Sequence, residues 1–263
     1  MQGVPEIFNR QAVRAHRQRA AAKLGEHDFL FREAGEMLAD RLDDVRRDFP
    51  MALDLGCHTG QMGTLLGPRG AIRILVQCDQ SWSMAGQAGG MAVIGDEEFL
   101  PFAPASFDLV LSCLSLHWVN DLPGSLIQIR HALKPGGLFL AALFGAGTLS
   151  ELRQSFDQAG TQNAVSPFAD IRDAGALMQR AGFDQPVVDR DILTVSYGDP
   201  FALMHDLRGM GEGNALMDRR RNFTCPTLMQ AMATHYGETH ADSDGRISAS
   251  FEILQLTGWA GED

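Results

Sequence analysis

Five short apolar runs succeed one another between residues 51 and 144: MALDLG, IRILVQCD, MAVIGD, FDLVLSCL and GLFLAALF, each bounded by Gly, Asp or Pro. None alternates polar with apolar residues, so each needs cover on both faces, a condition met by parallel strands packed between helices. Helical patterns fill the gaps, among them residues 123–133, with Leu126, Ile127, Ile129 and Leu133 on the inward face. Strands alternating with helices imply right-handed crossovers and predict an α/β fold, a doubly wound and mostly parallel sheet.

The flanks add elements of both kinds. Residues 8–24 and 29–47 read as N-terminal helices. After residue 148 come a helix over 148–160, a loop through SPF at 166–168, and a helix over 170–181 with Gly182 as its stop. A strand over about 186–197, a helical stretch over 199–238 and a last strand over 247–259 bring the sheet to seven strands. A chain of 263 residues can enclose all of this in one domain. Its expected parts are the helices of 1–50, a cofactor-binding core over 51–147, and a carboxyl half over 148–263. The helical stretch in that half is inserted between the last strands, as a lid over the sheet's carboxyl edge.

The formal net charge is −11, although residues 1–23 hold five basic side chains against one acid. So acidic a body argues against nucleic acid as a partner. Arg10, Arg14, Arg17, Arg19 and Lys23 read as a solvated helix face. Cys57, Cys78, Cys113 and Cys225 are too scattered for a disulfide framework and suit a reducing compartment. No apolar run approaches the ~20 residues that cross a bilayer, and the amino terminus lacks the order of a signal peptide. The expected location is the cytoplasm.

LDLGCHTGQ, residues 53–61, puts Asp54, Gly56 and Gly60, with Cys57 and His58 between them, where the first strand turns into a helix. In open α/β sheets ligands bind outside the strands' carboxyl ends, and glycine lets the main chain approach them closely. A tight turn with no ligand would also account for this loop. Asp79 ends the next strand 25 residues after Asp54, followed by Gln80; a carboxylate there can accept from both hydroxyls of a ribose. Asp96 and Glu97 end the third strand, Asp96 being suited to an adenine amino group, and Ser112 near the end of the fourth completes the set. Acids at three successive strand ends favour a nucleoside over a pyrophosphate, which wants a fuller glycine fingerprint and less negative charge.

The Asp54 loop, Asp79, GDEEFLPF (95–102), FDLVLSCLSLHWV (107–119) and LKPGG (133–137) together resemble the class I S-adenosylmethionine-dependent methyltransferases. That resemblance implies a Rossmann-like fold and S-adenosylmethionine as cofactor. Two branches are similar. IFNRQAVRAHRQRAA (7–21) resembles the malonyl carrier-protein methyltransferase of biotin synthesis, with His16 where tyrosine is commoner. LSLHWVNDLP (114–123), LFGAGTLSELR (143–153), SPF and GMGEGN (209–214) resemble the complex I assembly-factor family, whose mitochondrial members are described as arginine hydroxylases. Both branches usually carry glycine where this chain has His58, so a positive φ there would cost about 1 kcal/mol or more.

Methyl transfer is an in-line displacement, so alignment of acceptor and donor supplies much of the acceleration. For a hydroxyl or amine acceptor, His117 is the candidate base and Trp118 the pocket wall, with a packed surface pair as the alternative. A carboxylate acceptor needs a cation instead, and Arg208 in the lid is available. Glu212 and Asn214 suggest a lid hinge or contact, and their spacing names no ligand. Hydroxylation usually draws on iron held by two histidines and a carboxylate; His240 and Asp242 have part of that spacing, but no histidine follows, and no metal is expected. The expected function is methyl transfer to a small, carrier-borne or protein acceptor. The alternatives are protein-arginine hydroxylation and a cofactor-binding chaperone without turnover.

Overall fold

The computed structural model describes residues 6–219 and 225–262. Helices α1 (Arg10–Ala20) and α2 (Phe29–Asp43) precede the sheet, and the chain then alternates through β1 (Met51–Leu55), α3 (Gln61–Leu66), β2 (Ile74–Asp79), α4 (Trp82–Ala88) and β3 (Met91–Ile94). β4 (Phe107–Cys113), α5 (Leu122–Ala132) and β5 (Leu133–Phe144) complete the amino-terminal half. The carboxyl half contributes α6 (Ser150–Gln158), α7 (Ile171–Arg180), β6 (Phe183–Tyr197), α8 (Pro200–Met210), α9 (Pro226–His240) and β7 (Ile247–Ala260).

The strands form one seven-stranded sheet in the order β3-β2-β1-β4-β5-β7-β6. Every neighbouring pair is parallel except those of β7, which runs antiparallel to β5 and β6. Strand order reverses between β1 and β4, where Asp54 stands in register with Gln77 on one side and Leu111 on the other. That reversal opens the crevice in which such sheets bind ligands.

The apolar runs of β1, β4 and β5 are buried through Leu53, Leu109, Leu111, Leu140 and Ala142, as uninterrupted hydrophobic strands should be. MAVIGD departs from that expectation. β3 is a sheet edge, and its Met91 and Ile94 are 55% and 65% exposed. Ile127, read as inward, is 40% exposed, because Leu126, Ile129 and Leu133 already define the buried stripe of α5 and its carboxyl end. The helical stretch over 199–238 is broken in two. Asp199 caps α8 by accepting from the amides of Phe201 and Ala202, both at 2.8 Å, and Gly211 ends it in a left-handed conformation, φ 84°.

Helix α1 corrects the reading of its basic residues as a solvated face. Its buried stripe is Val13, Arg17 and Ala20, at the i, i+4, i+7 spacing of a core-facing helix, so a guanidinium lies in the middle of the buried face. Arg14, Arg19 and Lys23 do face solvent. Helix α8 lies against the segment after α1, where His27 Nδ1 donates to Asp206 at 2.7 Å. A Cβ on Gly209 would come within 2.2 Å of the His27 ring, which is why this close approach requires glycine.

Candidate functional site

Asp54, the penultimate residue of β1, is fully buried, and neither of its carboxylate oxygens has a hydrogen-bond partner among the described residues. Burial, reinforced by nearby Asp79, pushes its pKa up to about 8. The loop that follows turns on Gly56, φ 74°, where a Cβ would sit 2.0 Å from Ser115 Oγ, and on Gly60, φ 89°. His58 adopts φ 49° between them, the left-handed conformation that its replacement of glycine implied. Its ring packs against Phe31 at 4.3 Å between centroids, and its Nε2 donates to the Leu114 carbonyl at 3.3 Å. Burial first, then nearby Arg17, holds the His58 pKa down to about 3, so the imidazole is neutral, with Nδ1 an acceptor that has no partner among the described residues.

Asp79 ends β2 fully enclosed. Its Oδ1 accepts from the Ser81 amide at 2.8 Å, and its Oδ2 accepts from the His58 amide and Arg17, both at 3.2 Å. Arg17 also donates to Glu97 at 2.8 Å and to Ser115 Oγ at 2.7 Å. Arg10 reaches Asp96 at 2.5 Å and also pairs with Glu97. Burial alone would raise Glu97, but Arg10 and Arg17 outweigh it and hold this carboxyl well below the usual range. Asp79, with less help against desolvation, is pushed up to about 6. Two arginines of α1 thus balance the strand-tip acids, a role that the Val13, Arg17, Ala20 spacing in the sequence could have signalled.

The sequence-derived cofactor residues converge. Asp54, Gly56, Cys57, His58, Gly60, Asp79, Gln80, Asp96, Glu97 and Ser112 all lie at the carboxyl ends of β1 to β4 or in the loops that follow. Gln80 Nε2, Ser112 Oγ and His58 Nδ1 join the Asp54 oxygens as buried polar atoms without partners among the described residues. Buried polar atoms are nearly always bonded, so this set fits a polar ligand with a positive centre, as S-adenosylmethionine has. Asp79 fits ribose hydroxyls only in competition with Arg17.

A pocket of about 640 Å³ lies on the other side of α1 from these acids, lined there by His16, Arg19 and Ala20. Leu149, Leu152, Phe156 and Trp118 form buried parts of its lining, and the exposed Arg19, Lys23, Glu26, His205 and Arg208 line it nearer solvent. Trp118 lines this pocket, and His117, outside its lining, is packed on Phe144 and Phe168. The two are joined through a residue to which the sequence assigned no ligand: Glu212 Oε2 accepts from Trp118 Nε1 at 2.8 Å and from His117 Nε2 at 3.0 Å. Asn214 instead clamps the carbonyls of Asn163 and Ala164. Cys57, Cys78 and Cys113 are buried free thiols, and among the described residues no group of three or more His, Cys, Asp or Glu could hold a metal ion. Nor is any described helix long and apolar enough to cross a membrane.

A doubly wound sheet with a cluster of buried acids at its switch point, beside an apolar pocket, is the architecture of a methyltransferase-type protein. A family described as a methyltransferase domain matches residues 53–141. The mitochondrial arginine-hydroxylase NDUFAF5 of Mus musculus is 40% identical over 98% of this chain and 78% of its own length. The malonyl-[acyl-carrier protein] O-methyltransferase of Xylella fastidiosa is 36% identical over 97% of this chain and 89% of its own. Among solved structures, the YcgJ protein of Bacillus subtilis shares the fold at a TM-score of 0.62 and 15% identity, over 86% of this chain and 98% of its own. The chain belongs to the class I S-adenosylmethionine-dependent methyltransferase family, a family of enzymes whose cofactor is S-adenosylmethionine.

Proposed function

We propose that this protein transfers the methyl group of S-adenosylmethionine to an acceptor seated beneath α8. One observation carries the reading: cradle and pocket share a wall. Helix α1 sends Arg17 to the strand-tip acids and His16, Arg19 and Ala20 to the pocket; the segment from Ser115 to Trp118 likewise touches Glu97 at one end and the pocket at the other. An acceptor in one compartment is thereby adjacent to a methyl donor in the other, the arrangement that in-line displacement requires.

In this reading Asp79 takes the ribose hydroxyls, Asp96, Glu97 and Gln80 border the adenine, and the Gly56 to Gly60 loop, with Asp54, Cys57, His58 and Ser112, borders the methionine portion. The bound cofactor supplies an electrophilic methyl carbon. The apolar lining excludes water from it, Trp118 walls the acceptor, and His117 holds Glu212 in place. The whole chain acts as one unit, with α8 as its lid. A cytoplasmic location belongs to the same reading and is supported by the buried free thiols.

A second reading, hydroxylation of a protein arginine, is supported by the mouse relative's named activity and by the near-complete coverage of this chain. Incubation with methyl-labelled S-adenosylmethionine, offered malonyl carrier protein, an arginine-containing peptide and cell extract in turn, separates the two. Methyl transfer yields a labelled product heavier by one methylene. A peptide heavier by one oxygen, or tight cofactor binding with no label transferred to any acceptor, overturns the first reading.

A further inference from the structure

The pocket carries an internal charge gradient that bears on what enters it. Glu212 lies at its buried end, 9% exposed; its Oε2 is taken by Trp118 and His117, while its Oε1 is buried with no hydrogen-bond partner among the described residues. The solvent end is lined by Arg19, Lys23 and Arg208 against the single acid Glu26. Between these ends the lining is mainly aliphatic and aromatic, Leu149, Leu152, Phe156, Phe168 and Met204 among it. An unbonded carboxylate oxygen inside such a lining is costly until a donor reaches it.

We propose that Glu212 is a specificity-determining residue that receives, on Oε1, the positively charged or N–H-bearing inner end of a dipolar acceptor whose outer end is anionic and meets Arg208, Arg19 and Lys23. The inference rests on the reading that this pocket takes the acceptor, and it adds the polarity and orientation of that molecule. An acceptor with a free carboxylate at its inner end is disfavoured, because two carboxylates would then meet in an apolar enclosure. Burial alone would raise the Glu212 carboxyl, but His117 and Arg17 outweigh it and hold it below the ordinary range, so the charge on this oxygen persists. The three glycines of GMGEGN serve this placement. Gly209 lets α8 close on His27, Gly211 ends the helix, and Gly213 lies against His16, so that Glu212 enters the pocket wall from a fixed turn.

Titration calorimetry on the S-adenosylhomocysteine-loaded protein tests this without any turnover, using three matched probes: 6-aminohexanoate, adipate and 1,6-diaminohexane. The expected order places 6-aminohexanoate first, about tenfold or more above adipate, the scale of one charge-assisted hydrogen bond. Glu212→Gln puts an amide N–H₂ in the place of Oε1 while the amide oxygen keeps Trp118 and His117, and is expected to reverse the order of 6-aminohexanoate and adipate. Arg208→Gln, a surface substitution that keeps the test alive should the first variant fail to fold, is expected to weaken 6-aminohexanoate and to tighten 1,6-diaminohexane, whose outer ammonium no longer meets that cation. Adipate binding as tightly as 6-aminohexanoate to the unmodified protein, or none of the three binding, overturns the proposal. Probe binding in the expected order by a protein that transfers no methyl group would overturn the proposed reaction and leave this inference standing.

Discussion

Asp54 is a carboxyl enclosed by β1 and its neighbours with no counter-charge on either oxygen among the described residues, and its pKa of about 8 against an ordinary 3.8 follows from that enclosure. A carboxyl raised in the folded state binds more protons folded than unfolded. Its contribution to stability is therefore complete at low pH and is lost as pH rises from about 4 to about 8. Asp54→Asn should raise the melting temperature, with a gain that grows across that window and is constant above it, measurable by scanning calorimetry. The same substitution should harm function. A sulfonium favours the ionised carboxylate, so cofactor binding expels a proton and the affinity of the unmodified protein should tighten between roughly pH 6 and pH 9. The Asp54→Asn variant should bind more weakly, without the proton release that calorimetry in buffers of different ionisation heat reports.

Helix α1 gains its place from one apolar stripe and one buried cation. Arg17 cannot be read as a surface charge, because Asp79, Glu97 and Ser115 accept from its two terminal nitrogens inside the protein. Removing one partner of a buried ionic network leaves the others uncompensated, at about 3–5 kcal/mol. Arg17→Ala should cost about that much in urea unfolding near neutral pH. The loss should shrink as pH falls through about 6, where Asp79 takes up a proton and no longer needs a counter-charge. A loss unchanged by pH would show that α1 is held by Val13 and Ala20 packing alone. Helix α8 is placed differently, by the cap at Asp199, the stop at Gly211 and the His27 to Asp206 bond, so its end of the pocket answers to local turn chemistry.

Across the whole molecule, the strands of both halves join in a single sheet, so a ligand at the β1 to β4 crevice should stabilise all of it together. At a concentration of S-adenosylmethionine about a hundred times Kd, mass action adds about 2.7 kcal/mol. For a chain of this size that should raise the melting temperature by roughly 5–10 °C. A thermal-shift measurement should show this with S-adenosylmethionine and S-adenosylhomocysteine, and no comparable rise with ATP, whose phosphates would replace the methionine portion beside Asp54.

The amino-acid order by itself determined the architecture. Uninterrupted apolar runs are best satisfied by parallel strands between helices, and Gly56, Asp79 and Asp96 at the ends of such runs set a turn and a group of acids at their tips. It also marked His58 as strained, because a side chain standing in a glycine position is a local conflict. Tertiary structure alone decided what the inward charges meet. Arg10 and Arg17 look like their neighbours in composition, and only the approach of α1 to acids about 80 residues distant makes them counter-ions. Glu212 shares this character: 94 residues separate it from Trp118, and a hydrogen bond over that separation leaves no periodicity in the chain to read. Local order sets secondary structure through nearest neighbours, whereas the energy of a buried charge depends on everything that surrounds it.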